Sequence, residues 1–416
     1  MKNKKGGKPI DSGTYGCVFN PALACKGKKR HSGVSKLMIH KHASKEVELL
    51  DPIYSLTRDY PSLKSYIIIP DINHCTPAKL TSDDLHTFND TCHTLYQSGY
   101  NTHNLNQRIN DLKLLQMEHG GKTVGDYIEE MHPDQEYHIH KGIADIFKYV
   151  IIPMNQNNLY HSDIKENNIL VKKNKLKLID FGLTIVYTDT TIDPMFLNHY
   201  LSMHYPYTCL FFNDDIPFHW STFYRKYKHL QENLFIQVCS KHIMECILIY
   251  KKQKGLSNKL LGKESRFIFY CNILFPNENY LSIICQQLAY CYHRYKNPST
   301  GELDILSYYN KEFIYSVDIW GLCTVLLYLL TNYNSSYHDK QGKLKSFLIK
   351  YMFSMHLNPF PYSEFYTDLI THANYIKSLS SKSKSSRRNK SSRKSKSSRR
   401  SKSSSKTQSK TLRTKK

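Results

Sequence analysis

Residues 157–183, NLYHSDIKENNILVKKNKLKLIDFGLT, constrain the fold more than any other stretch of the chain. Asp163, Lys165, Asn168 and Asp180 interrupt short apolar runs that read as buried strands. Charged groups at the edge of a core cost free energy unless they are paired or bind something. Two carboxylates, an ammonium and an amide in one such edge therefore predict a binding site built into the body of the fold.

The surrounding pattern places strands first and helices later. Residues 1–20 alternate glycine, β-branched and aromatic residues, as a strand–turn–strand does, and GVSKLMI at 33–39 reads as another strand. Residues 42–50 carry Val47 and Leu50 at helical spacing beside charged neighbours. SYIIIPDI and LKLLQMEHGG read as two further strands, and 126–154 as mostly helical. VDIWGLCTVLLYLL (317–330) reads as a buried helix. This order predicts an α+β chain in two lobes. A small β-rich lobe spans 1–120, and a mostly helical lobe spans 121–376 with an insertion at about 208–312. That insertion is rich in Tyr, Phe, Cys and Leu and carries no motif of known chemistry.

Net charge separates off a third region. Residues 377–416 hold 17 Lys or Arg and no acid, which leaves only +6 of the chain's +23 for the rest. Such a Ser/Lys/Arg tail buries too little surface to offset its ordering entropy, so disorder is expected there. The 11 cysteines are scattered without a CxxC pair, which predicts reduced thiols in an intracellular protein. The early lysines precede no apolar stretch, which argues against a signal peptide. IWGLCTVLLYLL is shorter than a bilayer span of about 20 residues, so a soluble protein without membrane contact is expected.

In spacing, the opening segment is D-x-K-x-x-N followed 17 residues after the first aspartate by D-F-G. His161-Ser162-Asp163-Ile164-Lys165-Glu166-Asn167-Asn168 resembles the catalytic loop of the protein-kinase superfamily, and Asp180-Phe181-Gly182 resembles its metal-binding motif. The organisation is most similar to the divergent Ser/Thr kinases of large DNA viruses. The resemblance covers roughly residues 8–206 and 316–332. It implies a two-lobed kinase-like fold and transfer of the γ-phosphoryl group of ATP to Ser/Thr hydroxyls of protein substrates. Asp163 would accept the hydroxyl proton, and Lys165 would sit against the γ-phosphate. Asn168 and Asp180 would hold Mg²⁺, or Mn²⁺ in its place, since hard cations take oxygen ligands. Lys165 two residues after the catalytic aspartate goes with Ser/Thr acceptors in that family.

Upstream, Asp11-Ser12-Gly13-Thr14-Tyr15-Gly16-Cys17-Val18 resembles the phosphate-covering Gly-rich loop. Glycines there let backbone N–H groups approach phosphate oxygens. Lys36 resembles the strand lysine that contacts the α/β-phosphates, with Glu46 as its helical partner and Glu48 as the alternative, since helix phase decides between them. LLQMEHGG resembles the strand leading to the hinge. Met117 would lie behind the adenine, and the backbone of Glu118 and Gly120 would bond the purine edge. Asp318 in Asp318-Ile319-Trp320 resembles a buried scaffold aspartate that ties down the catalytic loop.

The chain departs from the family at several places. Asp11 stands where the first glycine belongs. Ser162 replaces the arginine that receives an activation-segment phosphate, so switching by that modification is not expected. No A-P-E follows; Pro206 in HYPYTC is the nearest candidate, and 112 positions separate it from Asp318. Cys239, His242 and Cys246 share one helical face. They read first as small buried hydrophobes, and as a zinc site only with a fourth ligand such as Cys271. The competing functional reading is a pseudokinase scaffold or a nucleic-acid-binding protein acting through the tail, whose cations would neutralise phosphates without sequence preference. The tail also reads as an autophosphorylation target. The expected location is the host cytoplasm or virion, or the nucleus through the basic tail.

Overall fold

The computed structural model describes residues 7–13, 15–28, 32–201, 203–255, 261–333, 338–353 and 361–379, without the side chains of 261–265 and 338–340. The tail from 380 onward lies outside the described residues, as does Thr14. The chain is α+β, with a small antiparallel sheet and a mostly helical remainder.

Strands β1 (Lys8–Gly13), β2 (Gly16–Asn20), β3 (Val34–Ile39) and β4 (Leu112–Met117) form one antiparallel sheet in that order. In β3, Val34, Ser35, Leu37 and Met38 are buried while Lys36 stays half-buried, opposite Val18 on β2 and Leu115 on β4. Gly16 is required by close approach: a Cβ there would lie 2.6 Å from the Leu37 carbonyl oxygen.

Helix α1 (His40–Asp59) is longer than 42–50 and continues through Pro52. Burial of Leu50, Ile53 and Leu56 in the core of the helical body outweighs the hydrogen bond that a proline removes. SYIIIPDI, expected as a strand, is not one. Ile67 makes only an isolated bridge to Leu178, and the Asp71 N–H donates to the Gln116 carbonyl at 2.7 Å. Pro70 lacks the donor needed to extend a ladder.

The reading of all cysteines as reduced thiols is also overturned. Cys17 is bonded to Cys92 and Cys25 to Cys75, with Cα–Cα separations of 5.2 and 5.8 Å. Folding brings partners 75 and 50 residues apart within bonding range, which spacing along the chain does not reveal. The compartment inferred from scattered cysteines loses that support.

Beyond the sheet, β5 (Lys122–Thr123), β7 (Ile169–Lys172) and β8 (Lys175–Leu178) form a three-stranded sheet, and β6 (Leu159–Tyr160) pairs with β9 (Ile185–Val186). The segment 126–154, expected as mostly helical, is so: a short helix ends at Glu130 and, after a break at 131–135, three consecutive pieces run from Glu136 to Gln156. The apolar run near 317–330 belongs to a continuous helical stretch, Ile305–Asn332. That stretch is long and apolar enough to cross a membrane by length and composition, contrary to the shorter reading, but 78% of its apolar window is buried inside the protein. The 208–312 segment joins the same core. Its helices Glu232–Gln253 and Tyr280–Tyr295 pack together, and Trp220 stacks on Tyr292 with ring centroids 4.0 Å apart.

Candidate functional site

The Ile314–Asn332 helix is the base on which the loop 161–168 is built. Asp318 is buried, and its carboxylate accepts the backbone N–H of His161 at 3.1 Å and of Ser162 at 2.9 Å. One turn on, Gly321 faces the same loop: a Cβ there would fall 2.6 Å from Ile164 Cβ and 2.8 Å from its carbonyl oxygen. Only glycine lets the helix and loop approach this closely. The Asn155 side chain donates to Asp318 Oδ2, the oxygen that also accepts from His161, and to the Leu159 carbonyl, and accepts from Tyr362 at 3.0 Å. Burial pushes the Asp318 carboxyl upward, while His161 and these N–H donors favour its ionised form.

Held in this way, the loop aims its side chains together. Lys165 Nζ lies 2.9 and 2.8 Å from the two carboxylate oxygens of Asp163. Asn168 Nδ2 donates to the Asp163 carbonyl and to its Oδ2, both at 2.8 Å. The backbone passes the order on, because the Ile179 N–H donates to the Asn168 carbonyl at 2.9 Å, one residue before Asp180.

His161 links the two motifs. Its Nδ1 accepts the Asp163 N–H at 3.3 Å, and its Nε2 bonds the Ile179 carbonyl at 3.1 Å as a donor. Its ring meets Phe181 edge-on at 4.9 Å. Full burial lowers its pKa, which agrees with the neutral tautomer these bonds require. Ser162 and Asp180 both hold left-handed backbone, with φ of 62° and 63°. For non-glycine residues this conformation persists only where the surroundings impose it, and such residues cluster at functional sites.

The sheet supplies the second group. Lys36 Nζ bonds both Glu46 oxygens, at 2.9 and 2.7 Å, and each side chain is less than one-fifth exposed. Glu48 is exposed, which settles the choice for Glu46. α1 packs against the turn Phe181–Leu183, so the helix carrying Glu46 touches the segment that opens at Asp180. Asp11 lies opposite Val18, which in turn lies opposite Lys36, so the β1–β2 hairpin with Ser12, Gly13 and Gly16 leads onto the same strand. Met117 pairs with Val34, two residues from Lys36. Beyond it, exposed Glu118 forms an ion pair with Lys177, the His119 carbonyl accepts from Lys172 at 2.6 Å, and Gly120 is buried against Leu170 and Ile68.

Two members of this arrangement escape sequence reasoning. Asn155 sits in an apolar helix, where its polar side chain is the available signal. Thr94, whose hydroxyl donates to the Gly13 carbonyl at 2.8 Å, carries none.

The zinc alternative is not supported. His242 Nε2 bonds the Phe218 carbonyl at 2.5 Å, and Cys246 Sγ lies 3.7 Å from that same nitrogen. Both Cys239 and Cys271 are buried, and burial raises their thiols, as it does for small apolar fillers of a core. Among the described residues no three His, Cys, Asp or Glu side chains are grouped to hold a metal. Asn168 and Asp180 suit a hard cation by donor chemistry: with Nδ2 committed to Asp163, the Asn168 amide offers its oxygen, and Asp180 an exposed carboxylate.

No family model matches the chain, and no curated protein matches it.

Proposed function

We propose that the chain is a two-lobed, kinase-like phosphotransferase that moves the γ-phosphoryl group of MgATP to Ser/Thr hydroxyls of protein substrates, in the manner of the divergent kinases of large DNA viruses. The observation that carries this reading is the Asp163 carboxylate, gripped by Lys165 and Asn168 in a loop braced by Asp318 and tied through His161 to Ile179 and Phe181, the two neighbours of Asp180. Phosphoryl transfer asks a protein for positioning and charge neutralisation more than for covalent chemistry. Asp163 orients the acceptor hydroxyl and takes its proton as the new O–P bond forms and ADP departs. Lys165, already within 3 Å of that carboxylate, supplies positive charge where the transferred group carries negative charge. Lys36, set by Glu46, does the same for the α/β-phosphates. Asn168 and Asp180 would hold Mg²⁺, which would supply further neutralisation of the nucleotide's phosphate charge.

Radiolabelled MgATP with a generic basic protein tests the reading. Wild type transfers label; Asp163→Asn lowers transfer by about 10²–10⁴-fold, the usual scale of a lost catalytic acid–base group, and Asp180→Ala abolishes it. A wild-type sample that neither binds nor uses MgATP overturns the proposal. The second reading, a nucleic-acid binder, is favoured by the 17 basic residues of 377–416. It predicts salt-sensitive binding that is lost when those residues are deleted.

A further inference from the structure

Beside the catalytic loop lies a cavity of about 350 Å³, of whose lining the proposed transfer chemistry uses Lys165 alone. The loop lines one side with Lys165, Glu166 and Asn167. His204 also lines the cavity, as do Arg266 and Tyr270 of the Leu261–Leu274 helix, which belongs to the 208–312 segment. Glu166 follows Asp163 by three positions, so the cavity is within about 11 Å of the phosphoacceptor position along the chain.

The charges in this cavity are unequally committed. Lys165 is spent on Asp163, with Nζ bonded to both its oxygens. The Glu166 side chain is only 15% exposed, and among the described residues its ion-pair partner is Arg266 at 4.0 Å. Arg266 is 63% exposed and sits at the outer limit of an ion pair, so it holds the carboxylate weakly while losing side-chain freedom to do so. A carboxylate largely withdrawn from water gains most from a cation at full hydrogen-bond contact, about 2.7–2.9 Å.

Resting on the kinase reading, we infer that this cavity is a specificity subsite for a Lys or Arg side chain flanking the acceptor serine, with Glu166 as its counter-charge. Arg266 is the competing internal occupant that an incoming basic residue displaces. The chain contains a matching substrate. Ser-Ser-Arg-Arg at 385–388 recurs as Ser-Ser-Arg-Lys at 391–394 and Ser-Ser-Arg-Arg at 397–400, so three hydroxyl pairs, six residues apart, each precede two cations. No acid occurs in that region to compete for them. The tail 380–416 is thus the substrate the subsite fits, and the segment 208–312, through Arg266, sets how readily the site opens.

Peptide kinetics on the full-length protein test this. Two peptides are compared: residues 383–402, and the same sequence with every Lys and Arg replaced by Gln. Wild type favours the basic peptide in kcat/KM, chiefly through KM. Glu166→Gln lowers that basic-over-neutral ratio about tenfold, whereas Arg266→Ala, at a side chain 63% exposed, raises it several-fold by lowering the KM for the basic peptide. A wild type that phosphorylates both peptides equally, or an Arg266→Ala that leaves the ratio unmoved, overturns the subsite while leaving the kinase reading intact. Failure to label either peptide or any basic protein overturns the kinase reading itself.

Discussion

The two parts of this molecule treat cysteine in opposite ways. In the β1–β4 region all four cysteines, Cys17, Cys25, Cys75 and Cys92, are joined in two disulfides. In the helical body all seven, Cys209, Cys239, Cys246, Cys271, Cys285, Cys291 and Cys323, are free and buried. The difference follows from core size. The apolar cluster around Phe19, Leu37, Phe88 and Leu114 is small, and it must also hold the segment 75–111 against the sheet. The cluster around the Ile314–Asn332 helix is continuous from Leu50 to Leu369. A small core gains much from cross-links that restrict its unfolded chain, whereas a large one uses the thiol as a small apolar filler.

Alkaline pH gives the largest test of that contrast. Burial raises the thiols of the helical body, Cys246 to about 11 and Cys209, Cys271 and Cys285 to about 12. A raised folded pKa gives stability that is complete below the unfolded value of 9.0 and is lost as pH climbs towards the folded one. Between pH 9 and 11 the helical body should lose up to about 1 kcal/mol per thiol per pH unit, while disulfide-bonded cysteines contribute nothing. Both tryptophans, Trp220 and Trp320, lie in the helical body, so their fluorescence in urea reads this region alone. The onset near pH 9 precedes that of unfolded tyrosine near 10, which separates the two groups. A urea midpoint unchanged from pH 8 to pH 10 would contradict the account.

Reduction should act on the other region. Opening Cys17–Cys92 or Cys25–Cys75 with dithiothreitol costs about 2–4 kcal/mol in the usual range for closed loops of this length. Hydrogen exchange at the β1–β4 amides reports the loss, with the tryptophan midpoint holding. If the midpoint falls by the same amount, the Lys36–Glu46 pair and the burial of α1 in the helical core make the two regions one cooperative unit, and the comparison collapses.

Legibility in the sequence divides along similar lines. The strands at 8–20 and 34–39 were readable from local pattern and the cluster Asp163, Lys165, Asn168 from a short motif, while the Lys36–Glu46 pairing came only with the family resemblance, which left Glu48 open until helix phase was known. The disulfides, the Ser12–Thr94 contact and the Asn155–Tyr362 brace were not, since each joins residues 50 or more apart and no local pattern encodes their meeting. SYIIIPDI misled because a continuous apolar run gives composition but not pairing, and Pro70 decided the outcome. The helical body's use of 208–312 was hidden for a related reason: its Phe, Tyr and Cys residues announce burial without saying against what.

The smallest effect concerns how the disulfide region reaches the site. Thr94 lies two residues from Cys92, and its hydroxyl donates to the Gly13 carbonyl at 2.8 Å while its backbone N–H points to Ser12 Oγ at 3.4 Å. The facing ends of β1 and β2 are therefore held from outside by a covalent tie at Cys17 and by hydrogen bonds with Thr94, the shortest of them to Gly13 and longer ones to Ser12. Thr94→Val keeps the shape and removes the donor, at a cost of about 1 kcal/mol. If the turn covers the nucleotide's phosphates, that cost appears as an increase of about fivefold in the KM for ATP. Because both ties restrain one short turn, their losses overlap: under reducing conditions the substitution should matter less, since the turn is already released. An equal effect of Thr94→Val with and without reductant would show that the disulfide stabilises the sheet without restraining the turn.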